Sequence, residues 1–245
     1  TEIYTLSLHD ALPICLTKVF EPKRPLVAIV AGSKFDTKIG PLSSLIEIAD
    51  HLVLGGVIYN AYLCAKYGYS IQGVSDEDIQ MARKFISESG ENICKIVELP
   101  YIVECDSIEE RTAANWRILN IHKLGSDARL GYVLDAAPES FGEEAVKSVF
   151  HKAGTVFVNA VMGYTALFAE GSMAMYSLID ENSSAEKLFG GGDTIQDFRQ
   201  YLPGLFAKAI NDPKYYFFTG GGAILDAIQS RSAFGMKPVQ ALMNK

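Results

Sequence analysis

Short apolar runs that end in glycine and hand over to helical patterns recur along most of this chain. Residues 26–30 are continuously apolar and β-branched at Val27, Ile29 and Val30, as expected of a strand buried on both faces of a parallel sheet. The run ends in Ala31-Gly32-Ser33-Lys34, and Ile39, Leu42, Leu45, Ile46 and Ala49 follow at helical spacing. Residues 52–54 lead into Gly55-Gly56 and a helical stretch over 59–66. Ser75-Asp76-Glu77-Asp78 reads as a helix start before Ile79, Ala82, Phe85 and Ile86. Strands are expected at 99–105 and 132–134. Pro138 then opens a helix carrying Phe141, Ala145 and Val149. Residues 155–158 form a strand ending at Asn159; residues 187–189 run into Gly190-Gly191-Gly192-Asp193-Thr194, and 216–218 into Thr219-Gly220-Gly221-Gly222. The stretch 106–126 is charged and less periodic, and reads as an excursion. This alternation predicts an α/β fold: a doubly wound, mostly parallel, Rossmann-like sheet with helices on both faces, in a single domain. The glycine turns then line the carboxyl edge, where ligands bind in such sheets.

Composition narrows the function classes. The 245 residues carry 22 Lys+Arg against 29 Asp+Glu, a net charge of -7, with neither a basic stripe nor a basic block to suggest nucleic-acid or membrane-surface partners. Aliphatic runs fall far short of the roughly 20 residues a membrane helix needs. Cys15, Cys64, Cys94 and Cys105 form no CxxC pair, and are expected to be reduced thiols in a cytoplasmic protein. Neither a GxxxxGK[ST] phosphate loop, a GxGxxG fingerprint nor a GxSxG elbow occurs, and His51, His122 and His151 lack metal-ligand spacing.

The glycine turns carry the remaining chemistry. A helix N-terminus offers unpaired N–H groups and partial positive charge, and glycine lets a phosphate approach them. The turns at 190–192 and 220–222 could supply two such cradles; a tight turn or close helix packing is the alternative for either. Lys34 and Lys38, four apart, could share a helix face and reach an anion, or be an ordinary solvated pair. Asp193 could hold Mg2+ bound to phosphates, or simply cap a helix.

The order Lys-Arg-Pro, strand, Gly-Ser-Lys-x-x-x-Lys-Ile, Gly-Gly, Asp-x-x-Pro, Asn-x-x-Met-Gly, Gly-Gly-Gly-Asp-Thr and Thr-Gly-Gly-Gly-Ala resembles the C-terminal, nucleotide-binding domain of phosphoglycerate kinase, from Lys23 to Leu242. The resemblance implies Mg-dependent phosphoryl transfer between 1,3-bisphosphoglycerate and ADP, giving 3-phosphoglycerate and ATP. It implies Lys34 and Lys38 on nucleotide phosphates, with Lys38 also on the transferring group. Gly32 and Ser33 would lie along the nucleotide, and Gly55 and Gly56 beside the adenine. Asn159 would face the phosphates with Gly191 and Gly192, Asp193 would bind Mg2+, and Thr194 would contact phosphate. Gly221 and Gly222 would present a helix N-terminus to the moving phosphoryl. The chain departs from the pattern at Ala31, Ser33, Val57, Ala137, Ala160, Val161, Ala166 and Tyr216, where the family has other residues. Ala166 stands where a ribose-binding glutamate is expected. These departures predict retained phosphate binding with altered base and ribose recognition.

Residues 1–14 resemble a translated sequencing adapter, so residues 15–25 are expected to be the remnant of an interdomain connection. A 3-phosphoglycerate-binding N-terminal domain is then expected upstream, the domain proper covers 26–245, and this chain alone should be inactive. A catalytically silent relative that binds nucleotide or a partner, and an unrelated Rossmann-like enzyme, are the competing readings.

Overall fold

The computed structural model describes residues 17–35 and 38–231. The adapter-like segment 1–14, Cys15 and the end of the family resemblance, from 232 to Leu242, lie outside the described residues. Five parallel strands form the central sheet: β1 (Leu26–Gly32), β2 (His51–Gly55), β8 (Thr155–Asn159), β9 (Glu186–Gly190) and β10 (Tyr215–Phe218), in the order β10-β9-β8-β1-β2. Leu26 to Val30 are fully buried, because β1 has neighbours on both edges and helices on both faces. From β1 the chain moves outward to β2 on one side, whereas β8, β9 and β10 extend the sheet on the other. The strand order therefore reverses between β1 and β8, and a crevice opens there at the carboxyl ends.

Helices α1 (Ile39–Ile48), α2 (Gly56–Tyr67) and α3 (Asp76–Ser89) serve the first half of the sheet, and α6 (Glu170–Glu181), α7 (Gly192–Tyr201), α8 (Pro203–Ala209) and α9 (Gly221–Ser230) the second. The expected start of α3 is present: the Ser75 hydroxyl accepts the Asp78 N–H at 3.1 Å, with three acids in the first turn to favour the helix dipole.

Three expectations are corrected. The strands at 99–105 and 132–134 do not belong to the parallel sheet. They are β4 (Tyr101–Cys105) and β7 (Tyr132–Ala136), which flank each other in an antiparallel sheet of order β5-β4-β7. The third member, β5 (Trp116–Asn120), lies inside the stretch read as an irregular excursion and pairs with β4 from Tyr101↔Asn120 to Cys105↔Trp116. In β5 the adjacent Arg117 and Ile118 are both exposed while Trp116, Leu119 and Asn120 are half-buried, so no alternating apolar pattern marks this strand in the sequence. A two-stranded parallel pair, β3 (Ser70–Ile71) and β6 (Arg129–Leu130), joins this region to the end of α2. The helix expected after Pro138 is instead two: α4 (Pro138–Gly142) and α5 (Glu144–Lys152), broken at Glu143, whose ψ of 133° is extended. The break shifts the helical phase by one residue, so Val146 and Phe150 are buried while Ala145 faces solvent.

The sheet also buries a lysine. Lys187 on β9 has no exposed surface, its ammonium 3.3 Å from the Ala185 carbonyl and 4.8 Å from the Tyr215 ring centre. Burial pulls its pKa below the ordinary lysine value. A depressed lysine pKa makes the native state less stable as pH falls through it. Lys187→Met is therefore expected to raise unfolding free energy by about 1 kcal/mol, most at low pH. Urea unfolding at pH 6 and pH 10 checks this; a gain that does not shrink at pH 10 contradicts it. Cys64, Cys94 and Cys105 are free thiols, and among the described residues no helix is long and apolar enough to cross a membrane.

Candidate functional site

Three helices begin where strands end at the crevice: α2 directly after β2, α7 after β9, and α9 after β10. Their first turns bring positive dipole ends to one rim, although the leading N–H groups of two of them, Gly56 and Gly221, are already donated to the Met162 and Thr219 carbonyls. The two triple-glycine turns meet there backbone to backbone. A Cβ added at Gly221 would lie 2.7 Å from Gly191 Cα and 3.0 Å from Asn159 Nδ2, and Gly191 itself has φ +108°. No larger residue fits either position, so these glycines serve close approach as well as turning.

Asn159, at the carboxyl end of β8, ties the rim together. Its Nδ2 donates to the Gly190 carbonyl at 2.7 Å, while its Oδ1 accepts from Lys38 Nζ at 2.5 Å. Lys38 immediately precedes α1, and its half-buried ammonium is pulled down in pKa by desolvation, with the Asp193 carboxylate opposing that shift. Asp193 occupies the first turn of α7 and is exposed. Thr194 is buried beneath it, its hydroxyl accepting the Ala160 N–H at 3.1 Å. A lysine, an amide, two glycine turns and an exposed carboxylate thus converge.

These groups line a cleft of about 1150 Å³. Gly32, Ser33, Lys38, Gly56, Asn159, Gly191, Gly192, Asp193, Thr194, Gly221 and Gly222 all contribute to its wall. Two expected residues do not. Lys34 is exposed on the bend after β1, outside the wall, and shares no helix face with Lys38, because α1 starts only at Ile39. Gly55 is buried behind the wall, where a Cβ would strike the terminal methyl of Met162 at 2.8 Å. Its neighbour Gly56, at φ +61°, approaches the Gly32 carbonyl and donates its N–H to the Met162 carbonyl at 3.0 Å.

Other wall residues were not singled out from the sequence. Gln196, Asp197 and Gln200 follow Asp193 at helical spacing and extend a polar face of α7 into the cleft, a signal that the amphipathic pattern of α7 did contain. Asp197 is buried and its carboxyl is pushed up by desolvation, although it accepts from Tyr176 Oη at 3.0 Å. Away from the glycine turns the wall becomes apolar through Val57, Val74, Ile108, Tyr132 and Tyr164. Among the departures from the family pattern, Ala31, Ser33, Val57, Ala160 and Val161 stand in this wall. Ala166 is exposed outside it, and the Tyr216 ring instead receives the Lys18 ammonium at 4.9 Å.

The donor set suits a metal held jointly with a ligand. Among the described residues no three His, Cys, Asp or Glu side chains gather into a protein-only metal cage. Magnesium in phosphate sites is ordinarily bound by one or two carboxylates plus phosphate oxygens, and the solvent-facing Asp193 fits that requirement.

Residues 10–231 match a protein-family model described as phosphoglycerate kinase, a match that begins inside the adapter-like segment. A phosphoglycerate kinase of Baumannia cicadellinicola subsp. Homalodisca coagulata is 29% identical over 231 residues, 93% of this chain and 54% of that protein. One from Psychrobacter sp. (strain PRwf-1) is 29% identical over 247 residues, 96% of this chain and 56% of that protein. The chain therefore spans about half the length of the curated relatives it matches. The phosphoglycerate kinase structure from Coxiella burnetii superposes with a TM-score of 0.73 at 25% identity, covering 92% of this chain and 55% of that one. That from Pyrococcus horikoshii OT3 shares the fold, with a TM-score of 0.71 at 18% identity over 95% of this chain and 56% of that one.

Proposed function

Because this chain belongs to the phosphoglycerate kinase family, we propose that its cleft is the nucleotide site of a phosphotransferase. The reaction is transfer of a phosphoryl group between 1,3-bisphosphoglycerate and Mg·ADP, giving 3-phosphoglycerate and Mg·ATP. The observation that carries this reading is the junction of Lys38, Asn159, Gly191 and Gly221 at the point where the strand order reverses.

In this reading the polyphosphate lies over the N-termini of α7 and α9, where Gly192 and Gly222 present backbone N–H groups, while Gly221, its own N–H donated to the Thr219 carbonyl at 2.9 Å, lets the two turns close. Ser33 and Gly32 run beside it, Gly56 borders the base, and Thr194 supports the turn from beneath. Lys38 places its ammonium against the transferring group, held in direction by Asn159. A bound Mg2+ would be held by Asp193 and phosphate oxygens and would neutralise charge on the polyphosphate. Phosphoryl transfer asks little covalent chemistry of the protein, so positioning and charge neutralisation carry the rate. The acyl-phosphate substrate is carried by a partner domain facing the cleft, and closure of the two halves excludes water. This chain supplies the nucleotide half and should not turn over alone.

Calorimetric titration with ADP, with and without Mg2+, tests the reading. Binding should strengthen with Mg2+, and Asp193→Asn should abolish that gain while leaving Mg-free affinity within about threefold. An affinity weaker than millimolar in the presence of Mg2+ would overturn the proposal. Val57 in the wall, where the family pattern has glycine, favours a second reading: a catalytically silent family member that binds nucleotide. Adding a phosphoglycerate-binding domain of a relative in trans separates the two, since only the first reading predicts turnover.

A further inference from the structure

The apolar end of the cleft is built partly from segments that contain neither helix nor strand. Ile108 stands between β4 and β5, Tyr164 between β8 and α6, and both line the cleft while remaining 46% and 50% exposed. Segments of this kind move easily unless side chains fix them.

One side chain joins the two. Arg111, three residues after Ile108, lays its guanidinium over the Phe168 ring at 4.3 Å and the Trp116 ring at 4.6 Å. The same group donates to the Leu167 carbonyl at 3.1 Å and pairs with Glu170 Oε1 at 2.6 Å. Trp116 meets Phe168 edge-on at 5.7 Å, closing a three-membered stack. Phe168 is buried, and its N–H donates to the Tyr164 carbonyl at 3.0 Å; the Tyr164 N–H in turn reaches the Leu134 carbonyl at 2.6 Å. A continuous path of contacts thus runs from the loop bearing Ile108, through Arg111 and Phe168, to Tyr164 and β7.

We propose that Arg111 is a positioning residue for the nucleobase end of the site. It touches no ligand itself, but clasps the two segments so that Ile108 and Tyr164 present one apolar wall to the base. The inference rests on the nucleotide reading given above. A guanidinium suits the task because its plane can lie flat on two aromatic rings while its edge pairs with a carboxylate and a carbonyl; an ammonium can face a ring and pair with a carboxylate but offers no flat face to stack.

The test is a calorimetric comparison, on the full chain, of Mg·ATP with inorganic tripolyphosphate, which lacks a base. Arg111→Ala should weaken Mg·ATP about tenfold and leave tripolyphosphate within about twofold. Ile108→Ala should also weaken Mg·ATP alone, and the double variant should bind no more weakly than Arg111→Ala, because the wall is already displaced. Arg111→Lys should fall between wild type and Arg111→Ala, and takes its place in the cycle if the alanine variant does not fold. Strictly additive losses, a parallel loss of tripolyphosphate binding, or unchanged Mg·ATP affinity would each overturn the role of Arg111. Wild type binding tripolyphosphate but not distinguishing it from Mg·ATP also overturns it. A wild-type chain that binds neither probe overturns the nucleotide reading, and this role with it.

Discussion

Gly221→Ala is expected to weaken Mg·ADP binding by at least about thirtyfold, roughly 2 kcal/mol. The added methyl would meet Gly191 Cα at 2.7 Å and Asn159 Nδ2 at 3.0 Å. The first contact is backbone, which cannot rotate away. Relief therefore comes only from separating the two glycine turns, and that separation disperses the N–H groups aimed at the phosphates. The second contact pushes on Asn159, which is held by Gly190 on one side and holds Lys38 on the other. One methyl thus disturbs both the dipoles and the ammonium. Overpacking of this kind costs about 1–3 kcal/mol of stability as well, so a cooperative thermal unfolding transition should persist at a lower midpoint. Wild-type affinity in a folded Gly221→Ala chain would mean the polyphosphate does not lie at this junction.

Asp135→Asn is expected to stabilise the chain, and to do so more at higher pH. Asp135, on β7, is 3% exposed; its Oδ2 accepts the Gly171 N–H at 2.8 Å, while its Oδ1 has no hydrogen-bond partner. Gly163 and Gly171 press against that unpaired oxygen, where a Cβ would come within 2.5 Å and 2.4 Å respectively. Desolvation pushes its pKa from 3.8 up to about 8; the charges of Glu170 and Asp197 add to the rise, and the N–H groups of Gly171 and Ala136 oppose it. A raised carboxyl pKa means that the native state binds the proton more tightly than the unfolded chain does. The contribution of this group is therefore complete below about pH 4, declines as pH rises, and is gone above about pH 8. An asparagine keeps the acceptor for Gly171 and never ionises. Its advantage over wild type should grow between those limits to on the order of 2 kcal/mol at pH 9. Urea unfolding at pH 5, 7 and 9 measures it. An equal difference at all three values would show that Asp135 ionises like a surface aspartate.

The residues behind these two predictions were legible to different degrees. Gly221 belongs to a motif visible in the chain itself, because close backbone approach leaves a residue type, glycine, as its record. The buried parallel strands were equally visible: a strand covered on both faces must be apolar throughout, and residues 26–30 are fully buried. Ser75 announced α3 because capping is a local hydrogen bond. Asp135, by contrast, stands in the sequence only as the acid of Asp-x-x-Pro, and its unpaired oxygen arises from glycines 28 and 36 residues away in sequence.

The sequence by itself determined the layered α/β architecture and the placing of glycine at the ends of the strands. Both follow from short-range constraints, burial along one segment and backbone freedom at one residue. Tertiary structure alone decided that β4, β5 and β7 leave the parallel sheet, that Lys38 rather than Lys34 turns into the cleft, and that Arg111 closes over Phe168. Each of those outcomes depends on which distant segment lies alongside, and such pairing is an energy shared between partners that neither segment encodes alone.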